Sequence, residues 1–226
     1  MPMGSFLFVD FWGGFYDVKR IKIFHLHKLL SMRERQVERR EKKAYQGTVY
    51  VAKYILLTLA LSFIGWLYEV VLVKIQWGEW TDRGFLWLPF CPIYGCTLLV
   101  VYFFMGTPKE KRGVLKRVKN PVLHTVLYLI LAGILPTLAE LFVGLLFDKA
   151  FHVMLWSYKG MRYNYHGYIC LGISLLWSGM IYLFMRFVFS PLKRLFFKTP
   201  NRLALALSAF LLIACTADAI IQFFRI

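Results

Sequence analysis

Five stretches of the chain stay apolar for the roughly 20 helical residues that a bilayer core requires. They run over about 50–74, 84–105, 121–147, 167–189 and 203–224. Apolar positions fill these stretches almost all round instead of keeping to one stripe, which is the pattern of helices without a watery face. The pattern predicts an all-α integral membrane protein, a five-helix transmembrane bundle over 47–226. Residues 1–46 read differently, as a basic cytoplasmic or membrane-surface segment.

That first segment opens with MPMGSFLFVDFWGGFY, which is aromatic but too short to span. It has no basic n-region and no small-residue cleavage site, so it is not a signal peptide. From Val18 to Lys43 the spacing predicts a basic, partly amphipathic helix with Ile23, Leu26 and Leu30 on one side. Such a helix suits an anionic leaflet surface. The alternative reading is a translation start at Met32, which would place part of this tract outside the protein.

Composition agrees with the pattern. Hydrophobic residues make up 59% of the 226, and a soluble domain has no interior large enough for them. The net charge of +16 would point to nucleic acid in a soluble chain; here its placement sets orientation instead. Lys and Arg number 10 in the N-terminal tract, 6 in the loop 106–120, and 5 across the loop 190–202 and the adjoining Arg186. The other connections carry only Lys74, Arg83, Lys149, Lys159, Arg162 and Arg225, with Lys53 at the entrance of the first span. The positive-inside rule then places the N-terminus in the cytoplasm and the C-terminus outside.

Charges inside a membrane are costly and mark candidate chemistry. Three carboxylates fall within the apolar stretches: Glu69 in GWLYEVV, Glu140 in LPTLAELFVG and Asp218 in CTADAII. At 1.5 Å per residue from Lys74, Asp148 and Arg225, each sits roughly 7 to 12 Å below the outer end. Ser62 and Gly65 share a helical face with Glu69; Gly133, Thr137 and Gly144 share one with Glu140; Ser208, Cys215 and Gln222 share one with Asp218. Small and polar faces pack inward between membrane helices, so the expectation is an acid-lined site in the outer half of the bundle. The competing reading is structural, with each acid protonated or bonded to a Tyr or Trp to hold helices together.

At the same depth the second stretch carries RGFLWLPFCPIYG, with Pro89 and Pro92. Proline removes a backbone donor, and hydrocarbon supplies no water to repair the loss. A break here would bring Cys91 and Tyr94 towards the acids; otherwise the prolines only kink a packed helix. The outer loop WSYKGMRYNYHG adds Tyr158, Arg162 and Asn164, and Lys159, Arg162 and Arg83 are candidate partners for the acids or for an anion at the mouth. Cys91, Cys96, Cys170 and Cys215 form no CxxC pair and read as small packing residues. No HExxH or other metal spacing is present and no cofactor is expected; His124, His152 and His166 read as structural or interfacial.

RGFLWLPFCPIYG and NYHGYICLGISLLW together resemble the ABC-transporter type IV, or CmpB-like permease, family of small bacterial membrane proteins. The resemblance rests on Arg83, Gly84 and Pro89 to Gly95, then Glu140, Trp156, Tyr158, Asn164, Gly167 and Ile169 to Leu171, with Gly65 to Glu69 also fitting. It covers about Ser62 to Phe189. The family pattern has an arginine directly before ICL, where this chain has Tyr168; if that arginine pairs with an acid, Arg162 is the substitute here. The resemblance implies a multi-pass transport role in a bacterial cytoplasmic membrane.

Without GxxxxGK[ST] the chain lacks a P-loop of its own. A permease subunit for a small solute therefore calls for a separate ATPase on the loops 106–120 and 190–202, each able to hold a short docking helix, or for proton coupling through the acids. Five spans are few for one permease, so a homo- or hetero-oligomer is expected. Two alternatives stay open: an intramembrane enzyme using Glu69 and Glu140 as acid and base on a lipid-linked substrate, and a non-catalytic membrane partner protein. The lipid bilayer is a partner in every case, and nucleic acid in none.

Overall fold

The structure, a computed structural model, describes residues 6–81 and 84–225; the side chains of 6–31, Glu34 and Trp77 are not among those described. The expected apolar side of the N-terminal helix, Ile23, Leu26 and Leu30, thus lies outside the described side chains. The chain divides into two units, Met1–Val49 and Tyr50–Ile226. Among the described residues the regular structure is six α-helices, one 3-10 turn and one small hairpin: α1 Phe6–Trp77, α2 Pro92–Met105, the 3-10 turn Gly113–Leu115, α3 Pro121–Phe151, β1 Asn164–Tyr165, β2 Ile169–Cys170, α4 Leu171–Phe187, α5 Phe189–Phe197 and α6 Asn201–Phe223. The first unit is helical from Phe6 onward.

Among the described residues, length and apolarity together qualify three helical segments to cross a membrane, namely Arg35–Gln76 of α1, α3 and α6. A fourth is available if α4 and α5, bent by 48° at Val188, count as one span. The segment expected to be helical over 84–105 is helical only from Pro92, and its 14 residues reach about 21 Å, less than a bilayer core. Its prolines explain the difference. Pro92 takes the first helical turn, where a missing N–H costs nothing, and Pro89 keeps the preceding backbone out of a helix. Of the two loops expected to hold a docking helix, 190–202 contains most of α5, whereas 106–120 has a single three-residue 3-10 turn at Gly113–Leu115.

The core of the second unit is built of large side chains from five helices. Leu57 and Leu61 of α1, Val101, Tyr102 and Met105 of α2, Tyr128 of α3, Met185 of α4 and the α5 residue Phe189 are fully buried. Many other apolar side chains face outward, including Val122, Phe142, Phe210 and Ile213. An outer surface this apolar fits lipid as its solvent.

Small residues set how closely the helices approach. A Cβ on Gly95 would overlap the Thr58 carbonyl oxygen and the Ser62 hydroxyl, and one on Gly65 would overlap the Tyr94 ring. Thus α1 and α2 meet backbone to backbone at Gly95. Between α3 and α4 the Thr137 hydroxyl bonds the Ser174 hydroxyl at 2.7 Å, and Ser178 Oγ donates to the Leu129 carbonyl at 2.7 Å. Hydroxyl bonding of this kind couples helices in the absence of water.

Asn120 starts α3, its side-chain oxygen accepting from the N–H groups of Val122 at 2.9 Å and Leu123 at 3.1 Å. Asn120→Ala removes both bonds and is expected to cost about 1 kcal/mol, or roughly 2–4 °C in Tm, read by thermal unfolding in detergent.

Candidate functional site

Glu140, one turn after Pro136 on α3, is buried. Its Oε1 accepts the Trp177 indole N–H at 2.8 Å and the Tyr158 hydroxyl at 3.4 Å. Its Oε2 is buried with no hydrogen-bond partner among the described residues. Buried carboxylate oxygens are seldom left this way, so each exception asks for a reason.

A second acid joins the same cluster through aromatic rings. The Tyr94 hydroxyl donates to Glu69 Oε1 at 2.7 Å, and the Tyr94 ring lies 5.5 Å edge-on from that of Trp177. Tyr68 packs against both, 6.5 Å from Tyr94 and 5.9 Å from Trp177. Glu69 and Glu140 therefore sit on α1 and α3 at opposite ends of a Tyr94–Trp177 bridge supplied by α2 and α4. Tyr158 closes the cluster from the loop between α3 and α4. Burial, with Glu140 and Glu69 nearby, pushes its hydroxyl above the usual phenol range, so it stays protonated and donates.

Asp218 does something different. Its Oδ2 accepts the backbone N–H of Leu88 at 2.8 Å, in the non-helical run before Pro89. The broken segment has left its own helical ladder, and the buried carboxylate of α6 replaces one of the lost partners. A second tie, from the Cys91 N–H to the Ser62 carbonyl at 3.1 Å, holds the segment against α1. Cys91 is buried, and Pro92 starts α2 beside it. Asp218→Leu is expected to leave the Leu88 donor bare and destabilise by about 1–3 kcal/mol, whereas Asp218→Asn retains an acceptor and costs less. Paired thermal melts check this.

In the loop between α3 and α4, Asn164 is spent on local structure. Its amide donates to the Met161 carbonyl at 2.6 Å and the Lys159 carbonyl at 3.4 Å, and its oxygen accepts the Gly167 N–H at 3.0 Å. This shapes the β1–β2 turn, where His166 and Gly167 both take positive φ, 49° and 82°. Arg162 is exposed, and its side chain bonds no carboxylate among the described residues; Glu140 is held by Trp177 and Tyr158 instead. Arg83 lies outside the described residues. Tyr168 donates to Asp148 Oδ2 at 2.6 Å, tying the loop to the end of α3. No group of three or more His, Cys, Asp or Glu that could hold a metal ion occurs among the described residues.

Trp177 is the site residue that sequence reasoning passed over. Its signal was there: Ser174 and Ser178 mark the inward face of α4, and Trp177 lies between them on that face.

A family model described as "Putative ABC-transporter type IV" matches residues 56–223, most of the chain. The chain belongs to that family. No curated protein and no solved structure matched it. The family match takes in the whole Glu69–Glu140 cluster and extends through α6, beyond the Ser62 to Phe189 that the motifs alone had covered. As a member of the type IV family with three or four apolar helices, the protein is a multi-pass, all-helical membrane protein.

Proposed function

We propose that this protein is a permease-type subunit that handles a small solute through the acid-lined site between α1, α2, α3 and α4. The observation that carries the reading is Glu140: one oxygen held by Trp177 and Tyr158, the other buried and bare. A carboxyl fixed by two donors through one oxygen, with its other oxygen buried and without a partner, keeps an acceptor in place for a solute donor or a proton. A purely structural acid would be expected to use both oxygens. Tyr94 and Cys91 sit where the broken segment meets this site, and Pro89 and Pro92 keep that segment out of the helical ladder.

The architecture that goes with this function is the five-span domain 47–226, with α2 and its broken lead-in as the second, shortened pass. Positive charge at the loops 106–120 and 190–202 supports an N-terminus in the cytoplasm and a C-terminus outside, in a bacterial cytoplasmic membrane as the family resemblance implies. Those loops would receive a separate ATPase, because the chain has no P-loop. A homo- or hetero-oligomer supplies the remaining spans.

The test is gentle solubilisation of tagged protein from its native membrane, followed by identification of what co-purifies. A stoichiometric ATPase that is lost when the loops are trimmed supports the subunit reading. A homomeric particle carrying a lipid that Glu140→Gln releases overturns it in favour of an intramembrane lipid enzyme.

A further inference from the structure

The opposite end of the bundle holds a second polar arrangement, unrelated to the Glu140 cluster. Tyr102 is buried, its ring packed against Phe189 at 4.7 Å. Its hydroxyl oxygen accepts from Arg112 Nη1 at 2.6 Å and also from Lys193 Nζ. Both side chains are donors only, so both lone pairs of the phenol oxygen are engaged. Arg112 also lies over the Tyr102 ring, 5.4 Å from its centroid, and Lys193 lies 4.5 Å from it.

Two full positive charges are thus held on one oxygen atom. Neither makes an ion pair with any described residue. The loops 106–120 and 190–202 carry ten Lys and Arg against one carboxylate, Glu110, so the chain itself offers little compensation. Like charges this close repel, and an arrangement that keeps them together gains most from an anion bridging them. Arg112 is exposed and Lys193 half-buried, so their remaining N–H groups are reachable.

We propose that Arg112 and Lys193, braced by Tyr102, bind a phosphate group, and that its source is the headgroup of an anionic phospholipid. What favours a lipid is the apolar surface around the helix that carries Lys193. Phe187, Val188 and Leu195, around and beyond the 48° bend that leads into α5, are exposed and apolar. Lys109 and Arg186 lie over the Phe187 ring at 5.4 Å and 5.7 Å, the mixture of ring and cation that sits at a headgroup level. Lys53 Nζ donates to the Phe197 carbonyl at 3.0 Å, leaving its other protons at the end of α5. This site is independent of what the Glu140 cluster binds.

Native mass spectrometry of the full chain in detergent, titrated with phosphatidylglycerol, phosphatidylcholine or inorganic phosphate, tests it. The expected result is retained phosphatidylglycerol in preference to phosphatidylcholine, weakened about tenfold in Arg112→Gln/Lys193→Gln. The control Lys116→Gln/Arg117→Gln removes the same charge from exposed positions and should keep the wild-type preference. Arg112→Lys/Lys193→Arg preserves charge and should also bind, with monodispersity on size exclusion confirming that each variant is folded. Equal loss in the control pair would reduce the effect to general surface charge and overturn the proposal. Displacement of the lipid by millimolar inorganic phosphate would overturn the lipid as its source.

Discussion

Gly95→Val is expected to abolish the folded protein. The first atom of any side chain at this position overlaps the Thr58 carbonyl oxygen, a backbone atom that has no rotamer to retreat into. Valine adds two further carbons. Relief requires α2 to move off α1, and that motion would break the Cys91 to Ser62 backbone bond and pull Tyr94 from Glu69. Overpacking a well-packed core costs about 1–3 kcal/mol where side chains can shift, and more where the obstacle is main chain. Lost hydrogen bonds in a water-free surrounding add to that. Size-exclusion profiles of the detergent-solubilised variant should show aggregate in place of a monodisperse peak. Gly47, where an added Cβ meets nothing within 4 Å, is the control, and Gly47→Ala should behave as wild type. A monodisperse Gly95→Val would mean that α1 and α2 do not meet this closely.

Glu140→Gln is expected to fold and to lose function. Glutamine keeps an oxygen for the Trp177 and Tyr158 donors and places an amide where Oε2 was bare. Stability should therefore stay within about 1 kcal/mol of wild type. Solute handling should fall by at least about tenfold, because the amide can neither ionise nor accept on that edge. Glu140→Leu separates the two roles: it leaves two buried donors unpaired and should cost about 1–3 kcal/mol for each. Melting curves alongside uptake or ligand binding in reconstituted vesicles read both. If Glu140→Gln retains full function, the bare oxygen is incidental and the acid is a structural strut.

The divergent fates of the three acids show where sequence reading ends. Glu69, Glu140 and Asp218 look alike along the chain, each an acid on a small, polar helical face at similar depth. Folded, two join one aromatic cluster while the third accepts a backbone N–H 130 residues away. Periodicity reports which face a residue occupies, but not which neighbour that face meets.

Arg162 and Asn164 make the same point in the loop between α3 and α4. Their types are right for a site, yet the turn itself consumes Asn164, and Arg162 points its side chain at no described acid. Loop geometry is set by long-range closure between α3 and α4, as in the Tyr168 to Asp148 bond, and local spacing carries no record of it.

Solvent and chemistry were legible along the chain: apolar runs too long for water, inward-facing acids, a proline-broken second run, and motifs that named the family. These are local quantities, fixed by composition and by the 3.6-residue period. Only the tertiary structure decided the pairings: Tyr94 on Glu69, Trp177 on Glu140, Leu88 on Asp218, and two cations on Tyr102. Each depends on contacts between residues distant along the chain, where packing rather than propensity selects the partner.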